Sequence, residues 1–151
     1  MRPAPANWPR LSSSVFYRDA AAAIDFLCRA FGFSVRLKVE GEGGRIEHSE
    51  LTYGEALVMV GQEGGSEPWH ALMKSPASLA GANSQSLCIV VDDPDAHCAQ
   101  ARTAGAEIVR EPATSDYGED YDVHRSYGAR DPEGHLWFFL TLVREARRRP
   151  S

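Results

Sequence analysis

The sequence predicts an α+β fold made of two copies of one βαβββ unit, and three observations lead there. The chain repeats itself, because Asp19 and Asp92 stand 73 positions apart, as do Gly32 and Gly105. An apolar strand-like run precedes each Asp, and a helical stretch separates each Asp from its Gly. Three β-prone stretches then follow each Gly, divided by residues that favour turns.

Taken in order, Ser14 to Tyr17 is a strand and Asp19 a helix N-cap, whose carboxylate accepts from the free N–H groups of the first turn. Ala20 to Phe31 is helical, with Ile24, Leu27, Cys28 and Phe31 on one buried face. Gly32 ends it, since glycine tolerates the left-handed conformation of a helix stop. The strands of this half are Val35 to Val39, Ile46 to Tyr53 and Ala56 to Val60, with a turn at Gly41 to Gly44. Residues 62–84, rich in Gly, Ser, Pro and Ala, form a linker in which Trp69, Leu72 and Met73 suggest partial packing. In the second half Cys88 to Val91 is a strand, and Pro94 opens a helix ending at Ala104 and Gly105. Its remaining strands are Glu107 to Val109, His124 to Arg130 and His135 to Leu142, the last two joined by the turn Asp131 to Gly134. Gly54 and Gly134, the last turn of each half, are 80 apart, so the second half carries an insertion. Thr114 to Tyr121 is its place, a solvated excursion or a lid that brings Tyr117 and Tyr121 to a pocket. The domain is expected over residues 11–142, with modules 11–61 and 85–142 and flexible tails at 1–10 and 143–151.

Composition narrows the function classes. An apolar content of 43% suffices for a core, and a net charge of −5 argues against nucleic acid. The basic cluster Arg144, Arg147, Arg148 and Arg149 is read as a frayed, solvated helix end. No apolar run approaches the ~20 residues that span a bilayer, and no signal peptide is evident at the start. Cys28, Cys88 and Cys98 contain no CxxC pair and are read as reduced core residues of a cytoplasmic protein.

On Asp19 to Leu27, Ala30 to Phe33, His48 to Leu51, Ala104 to Glu107 and Asp131 to Trp137, the chain resembles the vicinal oxygen chelate superfamily of glyoxalases, bleomycin- and fosfomycin-resistance proteins and extradiol dioxygenases. The resemblance runs from about Leu11 to Leu142 and looks most like the glyoxalase-like branch. It implies two βαβββ modules curled into a half-barrel around a ligand cavity, usually within a homodimer. It also implies a place for a divalent metal, held by two ligands from each module. Those places fall at Ser12, Met59 (or Val58, if the hairpin differs by one residue), Ser86 and Phe138, none of them a competent ligand at neutral pH. No cofactor is therefore expected, a divalent metal being the alternative, and these four residues are expected to line the cavity instead.

Two further sets could act there. His48 and Glu50, two apart on one strand, share a face together with Ile46 and Thr52. They are an acid–base pair, a structural or ligand-orienting couple, or half of a metal site. Arg125 and Tyr127 share a face of another strand, where the guanidinium suits an anionic ligand group or a salt bridge to the acidic loop. Trp137 and Phe139 share one face of the last strand and Phe138 takes the other, dividing these aromatics between core and pocket. His97 on an exposed-looking helix and His135 in a turn receive no role; His70 and His124 are left open. The expected function is binding of a small organic molecule without a metal. The alternatives are a lyase or isomerase working by acid–base chemistry on a carbonyl compound, or a metal-dependent glyoxalase-like enzyme.

Overall fold

The computed structural model describes residues 1–147. The elements follow the repeat: β1 Ser13–Tyr17, α1 Ala20–Phe31, β2 Ser34–Glu40, β3 Ile46–Tyr53 and β4 Ala56–Gln62, then β5 Ser86–Val90, α2 Pro94–Thr103, β6 Glu107–Ser115, β7 Val123–Arg130 and β8 Leu136–Arg144. They form two four-stranded sheets of like topology, β1-β4-β3-β2 and β5-β8-β7-β6. The pairs β1–β4 and β5–β8 are parallel and the others antiparallel. This is the α+β, two-module fold the repeat predicts.

Local chemistry sets the helix ends. Asp19 accepts from the Ala22 N–H at 3.0 Å. Gly32 closes α1 at φ 81°, donating its N–H to the Cys28 carbonyl, while the Phe33 N–H reaches the Leu27 carbonyl. In module two the cap is Asp93, not Asp92, and it accepts from the Ala96 N–H at 3.1 Å. Pro94 supplies the reason, because it occupies the first helical position and the residue before it must be the cap. The linker holds two short 3-10 turns, Pro68–Leu72 and Pro76–Leu79.

The helix-facing sides of both sheets share a single core. Val15, Tyr17, Leu51, Val58 and Val60 of module one join Leu87, Ile89, Tyr127, Trp137 and Phe139 of module two around α1 and α2. Phe31 at the end of α1 lies 4.8 Å from the Phe139 ring and 5.6 Å from that of Trp137, centroid to centroid. One carboxylate ties the modules together. Asp131, 3% exposed, accepts at Oδ2 from the Tyr17 hydroxyl (2.6 Å) and the Trp137 indole N–H (3.0 Å). Its Oδ1 accepts from the backbone N–H groups of Glu133, Gly134 and His135. Glu133 caps the same junction, accepting from the backbone N–H groups of Arg18 and Asp19.

Several expectations are corrected. Ile46 joins the core rather than the His48 face, because a bulge in β3 leaves Glu47 unpaired between His48 (opposite Val39) and Ile46 (opposite Glu40) and interrupts the alternation. Cys98 is buried and Cys28 half-buried, but Cys88 is exposed on the face of β5 turned away from the core, between buried Leu87 and Ile89. Arg144 ends a strand rather than a frayed helix, and Arg148 and Arg149 lie outside the described residues. Strand β6 runs on through Thr114 and Ser115, so the inserted loop begins at Asp116. His97 points inward, its ring 4.4 Å from that of Phe139.

Candidate functional site

With the helices covering one face of each sheet, the opposite faces are left open, and the candidate site lies on that of module one. On β3, Ser49 and Leu51 point inward and are fully buried, Ser49 donating to the Val60 carbonyl at 2.6 Å. Alternation therefore sends His48 and Glu50 outward together. They touch, with His48 Nε2 3.2 Å from Glu50 Oε1. The imidazole remains 43% exposed while Glu50 is 7% exposed.

Sequence reasoning missed the third member. Arg36 Nε lies 3.0 Å from Glu50 Oε2. A register shift in β2 between Val35 and Leu37 crowds Arg36 and Leu37 opposite the single residue Glu50, turning the guanidinium toward the carboxylate. No spacing rule exposes a bulge, and in the sequence Arg36 is only one of two cations, with Lys38, that alternate with Val35, Leu37 and Val39. A row of paired residues, Ser14, Met59, Glu50 and Leu37, crosses the sheet here. Met59 thus neighbours the carboxylate.

Two clefts flank this centre. Residues 1–10, expected as a flexible tail, are placed as a turn against the sheet, with the Trp8 ring 5.2 Å from the Arg36 guanidinium carbon. Between turn and sheet lies a cavity of about 840 Å³, lined by Trp8, Arg36, Thr52 and Leu57 among others. A second cleft of about 330 Å³ lies at the starts of β1 and β5, and Ser12 and Ser86 both line it together with Leu57 and Cys88. Phe138 sits on the outer face of module two, paired with Cys88 and Gly128. Gly128 makes room for it, since a Cβ there would lie 2.7 Å from the Phe138 ring.

The other candidates fall elsewhere. Arg125 and Tyr127 do share a face, but it is the helix side. Arg125 grips Asp95 of α2 through Nε (2.5 Å) and Nη2 (2.6 Å), not the acidic loop. That hydrogen bond holds the Asp95 carboxyl below its ordinary range. Tyr127 is fully buried, its hydroxyl 2.6 Å from His97 Nδ1, and burial raises its pKa. The same desolvation lowers the His97 pKa, against the opposing bond from Nε2 to the Phe31 carbonyl. Trp137 is core, bound to Asp131. Tyr117 and Tyr121 are exposed on a loop fastened to the end of β8 through Asp116–Arg144 and Glu119–Arg147 pairs.

The family's metal positions carry two hydroxyls, a thioether and a phenyl ring, a donor set that does not fit a divalent ion. Among the described residues, no group of three or more His, Cys, Asp or Glu converges on a point that could hold one. The same residues include no helix long and apolar enough to cross a membrane.

Residues 11–139 match the family model described as the glyoxalase/bleomycin resistance protein/dioxygenase superfamily. An uncharacterised protein of Mycobacterium bovis is 32% identical over 142 residues, covering 91% of this chain and 86% of its own. One from Mycobacterium tuberculosis H37Rv shows the same identity over 91% of this chain and 76% of its own. Among solved structures, TioX from Micromonospora sp. ML1 is 31% identical with a TM-score of 0.64, over 85% of this chain and 95% of that one. The fosfomycin resistance protein FosX from Mesorhizobium loti, 16% identical with a TM-score of 0.56 over 88% and 91% of the two chains, shares the fold.

Proposed function

The chain belongs to the glyoxalase/bleomycin resistance protein/dioxygenase superfamily, and from that premise we propose that it binds a small organic molecule on the outer face of module one without a metal centre. The observation that carries this reading is Glu50. Removing a carboxylate from water is expensive unless it is paired, and pairing often only offsets the penalty. Glu50 stands on the sheet face opposite the helices, where Arg36 and His48 hold it. An Arg36–Glu50–His48 chain set among Leu37, Leu57 and Met59 resembles a ligand pocket, an apolar wall with a few converging polar groups.

The wall is incomplete in one chain. Leu37 and Val39 of module one and Val90, Val109 and Leu142 of module two are each 40% exposed or more. Apolar surface on that scale marks an interaction face, and we assign it to a second copy of the chain that closes the cavity as a homodimer. Three free thiols suit a reducing cytoplasm.

Native mass spectrometry of the freshly purified protein tests these points together. The expected result is a dimer carrying an organic mass and no metal, with the organic mass lost in Arg36→Ala. Stoichiometric metal, or an organic mass retained unchanged in Arg36→Ala, would overturn the assignment.

A second reading has its own observation. Glu50 buttresses His48 at 3.2 Å while the imidazole stays open to solvent, the arrangement of a positioned acid–base group. In a lyase or isomerase of this kind, Glu50→Gln abolishes turnover of a carbonyl substrate and leaves its binding largely intact. In a binding protein there is no turnover to lose.

A further inference from the structure

The cavity over Arg36 is roofed by chain that precedes the first strand. The Trp8 N–H donates to the Pro5 carbonyl at 3.1 Å, closing a turn, and Arg10 donates to the Arg2 carbonyl at 2.6 Å. Arg36 secures this turn from below, its Nη1 donating to the Asn7 carbonyl while its guanidinium lies under the indole. Pro5 and Pro9 bracket the tryptophan, and fixed proline φ angles reduce what must be ordered when a ligand arrives. Leu57 and Thr52 line the sheet side and Glu55 adds a carboxylate.

Resting on the binding reading above, we propose that this cavity takes a neutral, planar aromatic molecule bearing a carbonyl, clamped between the Trp8 indole and the sheet. The size fits, since about 840 Å³ falls within the range of small-molecule pockets. The Arg36 guanidinium covers part of the indole face, and the aromatic surface of Trp8 left beside it gives the cavity a wall for stacking, with Leu57 an apolar floor. A guanidinium carries more N–H donors than Glu50 and Asn7 use, so Arg36 can also donate to a ligand carbonyl. Charge decides against an anion. The Arg36 charge is already matched by Glu50, Glu55 adds another negative group, and the whole chain carries −5. A ligand carboxylate would meet net repulsion where an uncharged carbonyl meets only a donor.

The test uses 2-naphthamide, its saturated decalin analogue and 2-naphthoate, titrated calorimetrically into the full chain, with the Trp8 indole N–H followed by NMR. The amide is expected to bind, to shift the Trp8 resonance, and to weaken about tenfold in Trp8→Ala, the scale of one stacking contact. The saturated amide and the carboxylate are each expected to bind at least about fivefold more weakly than 2-naphthamide. Equal affinity for the saturated amide, undiminished binding in Trp8→Ala, or no binding of 2-naphthamide overturns the clamp. The broader reading is judged separately. An organic mass retained by Trp8→Ala but lost from Arg36→Ala leaves the binding function standing without the clamp, and wild-type protein that retains none removes both.

Discussion

Replacing Asp131 by Asn keeps the shape of the residue that joins the modules and removes its charge. The magnitude follows from its five bonds. Asn can present its carbonyl oxygen to the three backbone N–H groups that Oδ1 now serves. Its NH₂ must then face the Tyr17 hydroxyl and the Trp137 indole N–H. The hydroxyl can turn and accept, but the indole nitrogen is a donor only. One fully buried donor is left without a partner, at ~1–3 kcal/mol, and the remaining bonds lose their charge assistance. A total of about 3 kcal/mol is expected, a large part of the ~5–15 kcal/mol that holds a domain folded. For a chain of this size the melting temperature should fall by about 6–12 °C. Urea denaturation of wild type, Asp131→Asn, Tyr17→Phe and the double variant measures it. Tyr17→Phe should cost about 1 kcal/mol, because Asp131 keeps its other donors, and the double variant should fall short of the sum by at least ~0.5 kcal/mol. An Asp131→Asn protein within ~0.5 kcal/mol of wild type, or strictly additive changes, would refute this account of the junction.

Three further outcomes are expected. Gly128→Ala should destabilise by ~1–3 kcal/mol, because the new methyl meets the Phe138 ring, and Phe138→Leu in the same chain should recover part of the loss in a urea titration. Burial depresses the His97 pKa, so the unfolded chain takes up the proton first as pH falls below ~6.5. Stability is then full above that pH and declines on acidification, and His97→Gln should flatten the decline in urea midpoints measured from about pH 7 to 5. Cys88 should react with a disulfide reagent before Cys28 and well before Cys98, more slowly than a free thiol because partial burial raises its pKa. Its rate should drop as protein concentration rises and the dimer covers β5, and a rate independent of concentration would count against that interface.

Periodic chemistry made most of the fold legible. Capping Asp19, the stops at Gly32 and Gly105 and the turn at Asp131 to Gly134 act through neighbours a few residues away, so spacing reveals them. The contact between His48 and Glu50 was legible for the same reason, as residues two apart on a strand lie side by side. Arg36 was not, because a β-bulge in β2 places it, and Trp8 was not, because a stretch rich in proline and alanine carries no periodic signal.

By itself, the sequence determined the two modules, their order of elements and, away from the bulges that moved Ile46 and Arg36, which residues share a face. Tertiary structure decided which face looks inward. Alternation is a relative property: it pairs Arg125 with Tyr127 and His48 with Glu50 but is silent on which side the helices cover. Packing α1 and α2 over one side sent Arg125 to Asp95 and Tyr127 into the core, and left His48 and Glu50 on the open face. Long-range partners were equally beyond local reading. Asp131 meets Tyr17 across 114 residues of chain, and only the closing of two sheets over a common core brings that hydroxyl within 2.6 Å of the carboxylate.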